Sequence, residues 1–81
     1  MTDERLTKAV ALKKRIEQLE GEFIRWNQAE KFAEDFIKVW REGKGNTNVD
    51  ISYIDFDVMK ALALNKIIKL LEEVREEYKN L

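Results

Sequence analysis

The chain has 81 residues and a net charge of −1, with 44% hydrophobic and 38% charged residues, and it contains no Cys, no His and no Pro. That length allows one domain, residues 1–81, and a small core, since a domain of 60 residues buries only about 60% of the surface its unfolded chain exposes. The missing Cys and His exclude disulfides, thiolate metal sites and the commonest neutral-pH base, and the balanced charge points away from nucleic acid and acidic membranes.

Oligomerisation is then the expected staple for so small a scaffold. A chain without Cys fits the cytoplasm. The N-terminal MTDERLTKAV carries charges where a signal peptide needs an apolar run. No apolar stretch approaches the ~20 residues of a membrane span.

In chain order, a first helix is expected over about residues 3–42, N-capped by Thr2 or Asp3 with acids in its first turn. Ala9, Leu12, Ile16, Leu19, Phe23 and Trp26 recur at heptad steps. The seam misses at Glu30 and resumes at Ala33, Ile37 and Trp40, while Ala29, Phe32, Phe36 and Val39 open a second stripe. Gly21 lacks flanking turn residues, so the helix is read as unbroken there, a three-helix bundle being the alternative. Residues 43–48 form the one clear turn, with Gly43 closing the first helix. Val49-Asp50-Ile51 reads as a short extended piece. Ser52 and Asp55 form a capping arrangement, and Ile51 and Phe56 a hydrophobic staple, which places a second helix over about residues 53–80. Met59, Ala63, Ile67, Leu70, Val74 and Tyr78 line its apolar face.

The fold expected is therefore all-α, a long antiparallel helical hairpin that oligomerises as a coiled coil or bundle. Helices of ~60 and ~42 Å would leave the first third of the longer one uncovered. Ala9, Leu12, Ile16, Leu19 and Phe23 are then the expected self-association residues, with a homodimer the first choice.

No enzyme is expected, because nucleophile–base pairs are missing. Glu17/Glu20 and Glu73/Glu76 form E-x-x-E steps. All-α pyrophosphatases acting on nucleoside triphosphates set similar steps around Mg²⁺; only the spacing is shared, and these carboxylates read as a solvated face. Neither metal nor cofactor is expected. Arg5, Lys8, Lys13, Lys14 and Arg15 form a basic stretch without aromatic interleaving, so nucleic-acid binding ranks low. Aromatic–Arg neighbours and the loop are the contact candidates: Arg25, Trp26, Trp40, Arg41, Lys44, Asn46, Tyr53 and Phe56. The expected function is a non-enzymatic helical interaction protein, an assembly factor, adaptor or inhibitor. The alternative is a phage- or mobile-element-type protein holding an anionic ligand, such as a signalling nucleotide, between subunits.

Overall fold

The computed structural model describes residues 3–81, so the expected N-cap Thr2 lies outside the described residues. The order of elements is α1 (Asp3–Gln28), β1 (Phe36–Arg41), β2 (Gly45–Asp50) and α2 (Phe56–Lys79). The fold is thus a helix pair with an inserted antiparallel β-hairpin, which corrects the all-α expectation.

Two expected helix bounds change with it. The first helix ends at Gln28 and not near residue 42, and it runs unbroken past Gly21. Phe36–Arg41, read as two helical stripes, is a strand. Its Ile37, Val39 and Trp40 suit a pleated surface better than a helix, because β-branched and aromatic side chains lose χ1 freedom against a preceding helical turn. The second helix begins at Phe56, three residues later than expected. Asp55 is its N-cap, accepting from the Asp57 amide at 2.9 Å. Ser52 does not cap it. Its amide donates to Asp50 at 2.8 Å in a tight turn at the exit of β2.

The two helices contain 26 and 24 residues, roughly 39 and 36 Å at 1.5 Å per residue. They are matched, so the overhang expected of an unequal hairpin is absent. Their antiparallel register is marked by Lys8 with Glu77 (3.5 Å), Glu20 with Arg75 (3.2 Å) and Lys60 at the end of α1. Between them Leu19 packs on Ile67 and Leu71, with Ile16, Phe23, Trp26, Leu70 and Val74 around this centre. Ala9 and Leu12 continue the same seam, half-buried.

The end of α1 is closed from outside the helix. The Lys60 ammonium donates to the carbonyls of Asn27 at 3.0 Å and Ala29 at 2.9 Å. These acceptors lie where a helix carries its negative dipole end. The junction is filled by aromatics. Phe56 stacks on Trp26 at 6.4 Å and meets Phe32 edge-on at 4.9 Å. Beside it Ile51 is buried, and its amide donates to the Asp35 carbonyl at 2.8 Å, closing the base of the hairpin.

Candidate functional site

The hairpin is built on a short turn. Phe36 pairs with Asp50, Val39 with Thr47 and Arg41 with Gly45. The connection needs left-handed backbone, and Gly43 (φ 79°) and Gly45 (φ 70°) supply it. Neither strand packs on a helix, and both edges of the ribbon are open.

Alternation sorts the side chains into two faces. Ile37, Val39, Thr47 and Val49 share one; Phe36, Lys38 and Trp40 share the other with Asn46, Asn48 and Asp50. Trp40 is 72% exposed and Phe36 and Ile37 are also exposed. A two-stranded ribbon that packs on no helix, with its β-branched face half-buried and Trp40 open on the other, is at best marginally stable in water. Within the expected contact set, Trp40, Arg41, Lys44 and Asn46 all lie on this hairpin.

The remaining candidates lie elsewhere. Trp26 and Phe56 are partners in the junction cluster. Arg25, in the last turn of α1, is ion-paired with Glu22. Tyr53 is 79% exposed on the loop before α2. The eight residues therefore form a hairpin group of four and a junction group of Arg25, Trp26 and Phe56, with Tyr53 apart on its loop, and not one polar pocket. Among the described residues no group of Asp and Glu is arranged to hold a metal ion. No helix among them is long and apolar enough to cross a membrane.

One ionisable group is shifted. Asp50 is held below the usual aspartate range, first by the hydrogen bond from the Ser52 backbone and then by the Ser52 side chain. That interaction fixes the turn leaving β2 and carries no catalytic geometry.

A second surface lies on the helix pair. Phe23, Ile24, Ile68 and Leu71 form an apolar groove of about 340 Å³, rimmed by Glu20, Glu72 and Arg75. Ile24 and Ile68 stood outside the expected contact residues. The detectable signal was a second apolar stripe beside the seam: Leu6 and Val10 lie on the flank of α1 that carries Ile24, since Leu6 is five turns before it. The signal for the hairpin was the β-branched and aromatic run before Glu42-Gly43-Lys44-Gly45, with alternating Thr47, Val49 and Ile51 after it.

No protein-family model, curated protein or solved structure matches the chain.

Proposed function

We propose that the chain is a non-enzymatic interaction protein, an assembly factor, adaptor or inhibitor that works as a homo-oligomer in the cytoplasm. Its β-hairpin is the surface offered to another protein. The partner contributes an extended segment that pairs with a hairpin edge.

The observation that carries this reading is the isolation of the hairpin. It stands clear of both helices, keeps two open edges and exposes Trp40 to 72%. Open edges are normally blunted or covered, and an additional strand satisfies the unpaired amides and carbonyls. The first strand bears Lys38 and Arg41, one on each face, and no acid, so an extended segment that carries acidic residues is the complementary one.

Photo-crosslinking in cells tests the reading. A photoreactive residue at position 40 is expected to give a defined adduct with another protein that the same residue at Gln18, on α1, does not give. On binding, amides of β1 or β2 gain exchange protection. Equal labelling at both positions, or a bound partner that leaves the hairpin amides unprotected, overturns it.

A further inference from the structure

The chain is more extended than a compact domain of its length. Its radius of gyration is 17.3 Å, where a compact domain of this length has about 12 Å. Its extents are 51 × 33 × 16 Å, a plate whose helices form one layer. Compact domains bury their apolar faces between two packed layers. The accessible surface is 6844 Å², whereas a compact 9.6 kDa monomer has about 5,100 Å². The excess is roughly 1,700 Å², shared between the free-standing hairpin and the helix pair, against the 800 Å² that each partner gives to a standard interface.

The two faces of the plate differ. One carries Lys8, Arg15 and Glu22 along α1. The other carries Leu6 (54% exposed), Val10 (60%) and Ile24 (54%), with Ile68 across the groove on α2. Between its apolar ends α1 places Lys13 and Glu17 on this same flank. Set antiparallel to itself, the stripe is self-complementary at its apolar ends and at its charged centre. When Leu6 faces Ile24 of a second helix, Lys13 faces Glu17 and Glu17 faces Lys13.

The second helix obeys the same symmetry. Lys60 at Ala29 and Leu19 against Ile67 and Leu71 set the level of one helix against the other. The midpoint between Lys13 and Glu17 falls level with the stretch between Glu72 and Arg75. An axis there brings Glu72 opposite Arg75 of the other α2. Ile68 then meets the last turn of that helix, where Tyr78 is exposed.

We infer that this face is covered by a second copy of the chain. The two helix pairs stack face to face about a two-fold axis that crosses α1 between Lys13 and Glu17. The dimer is a four-helix layer pair with its hairpins at opposite ends. The inference rests on the homo-oligomeric part of the reading above and moves self-association from the inner seam to the outer face.

Light scattering and sedimentation test it on the full chain. The wild type is expected to be a dimer at tens of micromolar. Leu6→Glu with Ile24→Glu should give a monomer with unchanged far-UV circular dichroism, since both residues are exposed. Lys13→Glu alone and Glu17→Lys alone should each weaken the dimer about tenfold, by setting like charges opposite one another. Mixing these two single variants should restore dimers, as heterodimers. The two acids of the first variant, at positions 13 and 17, then face the two lysines that the second carries at positions 17 and 13. Rescue in trans cannot arise from contacts within one helix. Absence of rescue, or dimers that persist in the Leu6/Ile24 variant, overturns the face while leaving homo-oligomerisation standing. A strictly monomeric wild type overturns the inference and homo-oligomerisation together; the hairpin reading is then decided separately by crosslinking at position 40.

Discussion

The ammonium of Lys60 lies 2.9 Å from the carbonyl oxygen of Ala29, one residue past the end of α1. It donates to the Asn27 carbonyl as well, at 3.0 Å. One side chain from the first turns of α2 therefore satisfies two acceptors at the terminus of the opposite helix. Lys60→Met keeps the stem but removes the donor and charge. It should cost about 1–2 kcal/mol, the usual range for a charged hydrogen bond at a helix C-terminus. Urea unfolding measures it; a loss within error would mean that the aromatic junction alone stops α1.

Gly21 is a site where the chain can be improved. It sits inside a continuous helix, and a Cβ there would meet only the flexible Arg25 guanidinium, at 3.5 Å or more. Gly21→Ala should stabilise by about 0.5–1 kcal/mol, which raises Tm by roughly 4 °C for a domain of this size. A fall in Tm on thermal unfolding would show that Arg25 cannot move aside.

The hairpin glycines should behave in the opposite way. Gly43 and Gly45 hold positive φ, with open space around each. Alanine at either position is strained by about 1–2 kcal/mol although nothing clashes. Because the hairpin packs on no helix, the damage should stay local. Amide exchange in β1 and β2 should speed up while the helical melting transition stays nearly unchanged. A matching drop in helix stability would show that the two parts unfold together.

The turn after β2 should open in acid. Asp50 has a depressed pKa in the folded chain because its carboxylate accepts from Ser52, backbone amide first. A group with a lowered folded pKa contributes stability above its unfolded pKa and loses it as pH falls through the folded one. The Ser52 amide should therefore keep its chemical shift and protection at neutral pH. It should lose both at pH values below the usual aspartate range, and Asp50→Ala should show the low-pH signature at neutral pH. A Ser52 amide that does not respond in acid would contradict the turn.

Much of the helix pair was legible in the residues. The heptad steps from Ala9 to Trp26 do form the buried face of α1, and the face from Met59 to Val74 carries the Ile67, Leu70 and Val74 contacts. Helical periodicity reports such a face directly, since residues three and four apart lie on one side. The segment from Ala29 to Trp40 was not legible in the same way. Its apolar residues satisfy helical spacing and strand alternation together, and a short apolar run does not discriminate between the two.

By itself the sequence determined two amphipathic helices, a glycine turn between them and the absence of Cys and His chemistry. Only the tertiary structure decided where the first helix stops. Residues 29–34 hold no Gly or Pro, so no local signal ends α1. It ends where Lys60 reaches its last carbonyls and where Phe32 must leave the helix to meet Phe56. Those contacts bring together residues far apart in the chain, thirty-one and thirty-three positions for the two Lys60 hydrogen bonds. Their free energy enters only once both helices are paired, and it releases Phe36–Asp50 to form the hairpin.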